Sequence, residues 1–247
     1  MRQLSNYLRV AVVAMVAVAS GCHGLEPGKM EWVQTESTEP RAGNAYLLRG
    51  WIGVFSTGVD ELSQKLNERG VRAHVYQEMQ SGALAKTIAE KYRNDPAAEP
   101  LVLIGHSYGA DNVVRVARAL EKEGIEVDLM VTLDPTTPPS VPKNVRLAYN
   151  YYQPQPLDVI PLFRGIALKQ DEGGTGKLVN YNLRSDRRDL LMPDTNHINI
   201  DKNEKVHDAV VQNVLEVCVE RDRWLAQRRA PNGRNGAAEG NSAGGGR

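Results

Sequence analysis

Cysteine and net charge are both scarce in this 247-residue sequence, and each absence excludes a class of protein. The chain has two cysteines, Cys22 and Cys218. Neither belongs to a metal-ligand spacing, so we expect no cysteine-bound metal, and modification of Cys22 would leave Cys218 without a partner, so we expect no disulfide framework. Net charge is lacking because 30 lysine and arginine residues balance 30 aspartate and glutamate residues. Without a basic surplus, nothing indicates binding to nucleic acid or to an anionic membrane surface. We expect no cofactor, no metal and no nucleic-acid partner.

The N-terminal apolar run is too short to be a membrane-spanning helix. It covers residues 10–19 and follows two arginines, as in a secretory signal peptide. It leads into Ala-Ser-Gly-Cys, ending at Cys22, which resembles the lipobox of bacterial lipoproteins, although Ala19 stands where those usually have leucine. The resemblance implies cleavage after residue 21 and a lipid on Cys22, and His23 in place of aspartate favours the outer membrane. We therefore expect an extracytoplasmic protein anchored at the bacterial cell envelope; simple cleavage or an uncleaved anchor is the alternative.

Composition divides the remaining chain into three parts. Residues 22–43 are polar, with scattered proline and glutamate, which is typical of a tether between a lipid anchor and a domain. Residues 44–229 are long enough for one domain with its own core. Residues 230–247 are rich in glycine, alanine and asparagine and have little to bury, so we predict a disordered tail.

Strand and helix patterns alternate along residues 44–229, and no internal repeat is visible. Alternation of this kind indicates an α/β fold with a mostly parallel central sheet and helices on both faces. Short insertions between the elements predict a minimal cap. The predicted strands lie at 45–48, 71–76, 101–104, 127–133, 145–152 and 177–183. Four helices are predicted. The first begins at a capping box at 57–60, the second includes Leu84 to Tyr92, the third follows residue 107, and the fourth begins near residue 205.

One short segment carries the strongest chemical signal. A buried-type strand runs into Gly105-His106-Ser107-Tyr108-Gly109, and a helical pattern follows at once. A strand-to-helix turn of this sequence holds its serine in a strained, exposed conformation, and the flanking glycines let strand and helix pass closely. We therefore predict Ser107 as a nucleophile.

A nucleophilic serine needs a base, because an unassisted hydroxyl stays protonated at neutral pH. Of the five histidines, only His197 lies in a loop between the last predicted strand and the last predicted helix. We predict His197 as the general base. His207 is the alternative, although it falls in the first turn of a helix, a position that usually faces solvent or a cap.

An acid should hold the imidazole in the right tautomer. Asp134 follows the strand after the serine strand, in Leu-Asp-Pro, and a proline after the aspartate restricts its backbone. Asp158 follows the next strand and remains the alternative acid. Two lesser candidates are Asp194 and Asp201.

These elements together resemble the α/β-hydrolase superfamily over roughly residues 45–224. The order Ser107, Asp134, His197 is that superfamily's order. The segment ending at Asp134-Pro135 is similar to the acid turn of pancreatic-type lipases. The resemblance implies an oxyanion hole made by the backbone N–H of Tyr108 and by one from the loop after the first strand, for which we favour Trp51. Many relatives have His-Gly in that loop where this chain has Arg49-Gly50.

The resemblance implies a serine hydrolase that cleaves a carboxylic ester or thioester through an acyl-enzyme. A small or lipid-derived acyl compound is the expected substrate, and a membrane would be contacted through the lipid on Cys22. Two alternatives stay open: a catalytically silent lipoprotein with a binding role, and an acyltransferase on the same scaffold.

Overall fold

The computed structural model describes residues 26–50, 56–154 and 165–229. Its strands are β1 (Asn44–Leu48), β2 (Arg72–Tyr76), β3 (Leu101–His106), β4 (Leu129–Leu133), β5 (Leu147–Tyr152) and β6 (Lys177–Asn182). They form one six-stranded sheet in the order β2-β1-β3-β4-β5-β6, and each pair of neighbours is parallel. The predicted α/β fold with a parallel sheet is therefore confirmed.

Helices cover both faces of this sheet. They are α1 (Gly58–Glu68), α2 (Ser81–Tyr92), α3 (Tyr108–Glu121), α4 (Glu204–Val217) and α5 (Arg221–Arg229). Tyr46 and Leu48 of β1 pack in one core cluster with residues of α2 and α3. Ala45 and Leu47 pack in a second cluster with residues of α1 and α4. Successive strand residues point to opposite faces of the sheet, and helices cover both faces. The central strands are therefore buried along their whole length, as is typical of parallel sheets.

The register brings three loops together at one edge of the sheet. Leu48 pairs with Gly105 at the end of β1, and His106 pairs with Leu133 at the ends of β3 and β4. The loops that follow begin with Arg49, Ser107 and Asp134. They start side by side at the carboxyl edge, where ligands bind in open α/β sheets.

The described part of the predicted tether is packed on the domain, so the interpretation of residues 22–43 as a tether is wrong for residues 26–43. Val33 is fully buried in the core cluster beneath α2, and the Gly28 N–H donates to the carbonyl of Val75 at 2.7 Å. Arg41 forms a bridge with Glu220. Polar composition concealed a few buried apolar anchors and the backbone hydrogen bonds that hold this segment.

The C-terminal region contains the helix that was predicted from about residue 205. It is α4, which ends at Val217, and a further short helix, α5, starts at Arg221. Cys218, at the end of α4, leaves the helical conformation and is fully buried. At Gly43 an added Cβ would lie 2.3 Å from the Cys218 sulfur, so this thiol packs against main chain.

Several predictions fall on residues outside the described ranges. They are the signal peptide at 1–21, the lipid on Cys22, the oxyanion donor Trp51, the alternative acid Asp158 and the tail at 230–247. Within the described ranges, no helix is both long enough and apolar enough to span a bilayer.

Candidate active site

Ser107 lies at a strained turn between β3 and α3. Its φ of 56° and ψ of −125° are unfavourable for a residue with a side chain. The Ser107 N–H donates to the Leu133 carbonyl at 2.9 Å, which anchors the turn to β4. A Cβ at Gly105 would lie 2.4 Å from the Gly109 oxygen, and one at Gly109 equally close to the Leu48 oxygen. Only glycine at both positions permits this approach.

The structure brings His197 to this serine. Ser107 Oγ and His197 Nε2 are 2.9 Å apart, a hydrogen-bond distance. His197 lies in a loop between β6 and α4 and is 6% exposed. In the same loop Asn196 accepts from the Ile198 N–H at 2.8 Å, and Asn199 accepts from the Asn196 N–H at 2.7 Å. Local side-chain hydrogen bonds thus shape the chain on both sides of the imidazole.

Asp134 lies on the other side of the imidazole. Its Oδ2 is 3.5 Å from His197 Nδ1, and its Oδ1 accepts from the Gln153 N–H at 2.8 Å. The residue is fully buried and has a φ of 47°, the second strained residue of the site. A Cβ at Gly165 would lie 2.0 Å from Asp134 Oδ1, so the chain passes directly over the carboxylate.

A buried carboxylate on α3 holds the loop that follows Asp134. Asp111 Oδ1 accepts from the Thr136 N–H at 2.9 Å, and its Oδ2 accepts from the Thr136 hydroxyl at 2.7 Å. Oδ2 also accepts from the Thr137 N–H at 2.9 Å. The helix that starts at Ser107 is therefore tied to the loop of the acid. No local pattern in the sequence indicates this contact, because 25 residues separate Asp111 from Thr136.

The other candidates lie elsewhere or outside the described ranges. Asp194 is exposed, and its carbonyl oxygen accepts hydrogen bonds from the side-chain amides of Asn196 and Asn199. Asp201 is fully buried, but its Oδ2 accepts from the Gly58 N–H at 3.0 Å and so caps α1. The predicted capping box of that helix is accordingly wrong, since Thr57 makes no capping bond.

His207, the alternative base, is fully buried, contrary to the expectation for a first-turn position. Lys65 Nζ lies 3.2 Å from its Nδ1, and its Nε2 contacts the Asp201 carbonyl. Burial lowers the pKa of His207. Both ring nitrogens are thus engaged by groups other than Ser107.

Of the two backbone donors expected at the oxyanion hole, one, Tyr108, lies within the described residues. Tyr108 is the first residue of α3, and the first N–H groups of a helix have no acceptor within it. On the other side the description ends at Gly50. Arg49, which departs from the superfamily pattern, is 1% exposed and donates its Nε to Asp60 at 2.9 Å, with a second contact between the same side chains. The ion pair holds the start of this loop on α1.

Among the described residues, one group offers closely spaced metal ligands. Atoms of Glu61, Glu204 and His207 lie within 4.8 Å of one another. The Lys65 ammonium pairs with Glu204 and approaches His207. The ammonium group of Lys65 thus already engages two of these three ligands.

A thioesterase domain model matches residues 51–164, slightly less than half of the chain, including Ser107 and Asp134. No curated protein matches the sequence. Among solved structures, Est1E from Butyrivibrio proteoclasticus with ferulic acid bound is 12% identical, with a TM-score of 0.47 over 75% of this chain and 93% of its own. The NocB thioesterase domain of the nocardicin cluster is 14% identical, with a TM-score of 0.42 over 70% and 94%.

An α/β serine hydrolase without a lid from Xanthomonas campestris is 16% identical, with a TM-score of 0.39 over 76% and 84% of the two chains. Such distant likenesses leave the assignment to the sheet order, the strained serine turn and the thioesterase domain match. These three observations agree with an α/β-hydrolase fold and with a serine hydrolase, as the order of the motifs predicted.

Proposed function

We propose that this protein hydrolyses acyl thioesters or esters through an acyl-enzyme formed on Ser107. The observation that carries the proposal is the 2.9 Å contact between Ser107 Oγ and His197 Nε2. His197 removes the hydroxyl proton as Oγ attacks the substrate carbonyl, and later returns it to the leaving thiolate or alkoxide. Asp134, 3.5 Å from His197 Nδ1, orients the ring and stabilises its protonated form.

The backbone N–H of Tyr108 is the donor to the oxyanion that develops on the carbonyl oxygen. The second donor, assigned to Trp51, stays a proposal from the sequence. After the leaving group departs, His197 activates a water molecule that attacks the acyl-enzyme, and Ser107 is regenerated.

Exposed apolar side chains around the carboxyl edge of the sheet favour a hydrophobic acyl group. Large hydrophobic residues with at least a third of their surface exposed include Tyr108 beside the nucleophile and Ile198 beside the base, at 38% and 49%. Met79 follows β2 and Met192 follows β6, so both belong to loops at the same edge. An acyl chain lying on Tyr108 and Ile198, which flank the nucleophile and the base, would bury apolar area worth about 0.8 kcal/mol per methylene.

The test is active-site labelling with a fluorophosphonate, followed by turnover of acyl esters and matched thioesters. Wild-type protein should be labelled, and Ser107→Ala and His197→Ala should not. An oxygen ester and a thioester of the same acid form the same acyl-enzyme, so their kcat values should converge where deacylation limits the rate. Absence of labelling in folded wild-type protein would overturn the proposal.

The acyl-chain preference has a matched control within the chain. Ile198→Ser should reduce kcat/KM for octanoyl esters about fivefold more than for acetyl esters, because a longer chain loses more apolar contact. Leu225→Ser alters an exposed leucine of α5, at 36% exposure, and should leave the preference unchanged. If Ile198→Ser and Leu225→Ser had the same acyl-chain preference, Ile198 would not belong to the acyl site.

The location at the cell envelope is a separate proposal that the sequence of residues 1–22 supports. Metabolic labelling with palmitate in a bacterial host should mark the full-length chain and not Cys22→Ala. If Cys22→Ala incorporates as much label as wild type, the lipid is not on this cysteine.

A further inference from the structure

His106 is buried directly beneath the nucleophile, and the proposed mechanism does not use it. It is the last residue of β3 and its side chain is almost fully buried. Its Nε2 lies 2.9 Å from the carbonyl oxygen of His197, and its Nδ1 lies 2.8 Å from Ser56 Oγ. One imidazole therefore touches the main chain of the base and the loop that follows β1.

The chemistry of the partners fixes the direction of these hydrogen bonds. A carbonyl oxygen only accepts, so His106 Nε2 must donate to His197. The Gly50 N–H donates to Ser56 Oγ at 2.9 Å, which leaves the Ser56 hydroxyl hydrogen for His106 Nδ1. The chain of donors runs from Gly50 through Ser56 and His106 to the His197 carbonyl.

This arrangement needs a neutral imidazole. Burial, together with the neighbouring His197, lowers the pKa of His106 to about 4. The carboxylate oxygen Asp201 Oδ1 lies 3.9 Å from Nδ1, beyond hydrogen-bond distance. Ser56 is therefore the hydrogen-bond partner of Nδ1, and the chain of hydrogen bonds from Gly50 to the His197 carbonyl does not depend on a charge on His106.

We propose that His106 is a positioning residue that aligns the Gly50 loop and the His197 loop with Ser107. The proposal rests on the proposed function of the same site. Gly50 packs on the nucleophile, since an added Cβ would lie 3.2 Å from Ser107 Cβ. The bond to the His197 carbonyl fixes the main chain from which the base projects. A displacement of about 1 Å in such groups is enough to slow a reaction roughly 100-fold.

Conservative variants can separate the two bonds. Glutamine at position 106 places an amide near the Nε2 position and keeps the donor to His197, but loses the link to Ser56. Asparagine places its amide near the Nδ1 position and does the reverse. Ser56→Ala removes the link that His106→Gln removes and, in addition, the acceptor of the Gly50 N–H. The rate of fluorophosphonate labelling and the kcat and KM of ester hydrolysis are measured for each.

We expect His106→Gln, His106→Asn and Ser56→Ala each to lower the labelling rate and kcat by about 10- to 100-fold, with little change in KM. The double variant of His106→Gln with Ser56→Ala should be no slower than Ser56→Ala, because the link that His106→Gln breaks is already broken in Ser56→Ala. The double variant of His106→Asn with Ser56→Ala should be slower than either single variant, because it loses the bond to the His197 carbonyl as well as the bonds of Ser56. A merely structural role predicts no such difference.

His74→Gln is the matched control. His74 is half-buried in β2, its pKa is also lowered to about 4 by burial, and its ring packs on Trp32 at 5.2 Å. It should react like wild type. Folded His106 variants that are labelled at the wild-type rate would overturn the positioning role and leave the hydrolase proposal intact. Unlabelled wild-type protein would overturn both. If His106→Asn does not fold, His106→Gln and Ser56→Ala still decide between these outcomes.

Discussion

The nucleophile and its base are held in different ways. Ser107 sits in the serine turn, residues 105–109, where a strand runs straight into a helix and main-chain atoms from Gly105 and Gly109 meet at close range. His197 sits in the base loop, residues 191–203, which is shaped by asparagine and threonine side chains. Sterics between neighbouring residues fix the first, and polar side chains that reach across the loop fix the second.

The difference has a consequence for tolerance to substitution. In the serine turn any side chain larger than hydrogen at the two glycines meets backbone, which cannot move without moving the sheet. In the base loop, loss of a side-chain hydrogen bond should leave the fold intact but allow the His197 imidazole to move away from Ser107. We expect substitutions in the serine turn to cost folding free energy first, and substitutions in the base loop to cost activity first.

The largest effect should come from the carboxylate behind the base. Asp134→Asn keeps the shape of the side chain but favours the wrong tautomer of His197, and kcat should fall by roughly 10⁴-fold. The measurement is kcat for an activated ester, with unfolding by urea as the control for folding. Asp158→Asn is the comparison, and if it caused the larger loss, the alternative acid would be the correct one.

In the serine turn, Gly109→Ala should lower the free energy of unfolding by about 3 kcal/mol, because the new Cβ would lie 2.4 Å from the Leu48 and Arg49 oxygens. Gly82→Ala on α2 is the control, since a Cβ there has no atom within 4 Å, and it should be neutral or stabilising by up to about 1 kcal/mol. Urea unfolding measures both. Equal stabilities would show that the turn relaxes more easily than its geometry implies.

The base loop carries a pH-dependent contribution to stability. Burial raises the pKa of Asp201 from 3.8 to about 7, so the folded state binds more protons than the unfolded chain between these values. Stability contributed by this group is present at low pH and is lost as pH rises from about 4 to 7, at most about 1.4 kcal/mol per pH unit.

Asp201→Asn cannot ionise but can still accept from the Gly58 N–H. Relative to wild type, its free energy of unfolding should therefore rise between pH 4 and pH 8. Urea unfolding at several pH values measures the difference, in which the contributions of other titrating groups largely cancel. Parallel pH curves for the two proteins would contradict the prediction.

The smallest effect is expected at the end of the base loop. Asn203 caps α4 through the Lys205 N–H at 3.0 Å, and its amide donates to the Leu190 carbonyl and to Thr195 Oγ1. Asn203→Ala should cost about 1 kcal/mol of stability and lower kcat. Asn203→Ser retains the cap but cannot reach Leu190, so it should recover stability and not activity. Recovery of both would assign the whole effect to the cap.

Features that depend on residues close together in the sequence were predicted, and features that depend on contacts between residues far apart in the sequence were not. The strands near residues 101–104 and 127–133 were predicted because apolar runs of that length are buried strands. The tether prediction was wrong over residues 26–43 because the burial of Val33 depends on helix α2, which is remote in the chain. The buried state of His207 depends likewise on Asp201 and Lys65, which no local pattern relates to it.

The sequence by itself determined the sheet class and the serine turn, because alternating apolar patterns and two glycines around Ser107 act between residues that are adjacent in the chain. Only the tertiary structure decided the hydrogen bonds that His106, next to the serine, makes with Ser56 and His197. His106 meets Ser56 across 50 residues and the His197 carbonyl across 91, and these contacts exist only when parallel strands deliver three loops to one edge. Hydrogen bonds of a few ångströms between residues so far apart leave no periodicity in the sequence to be read.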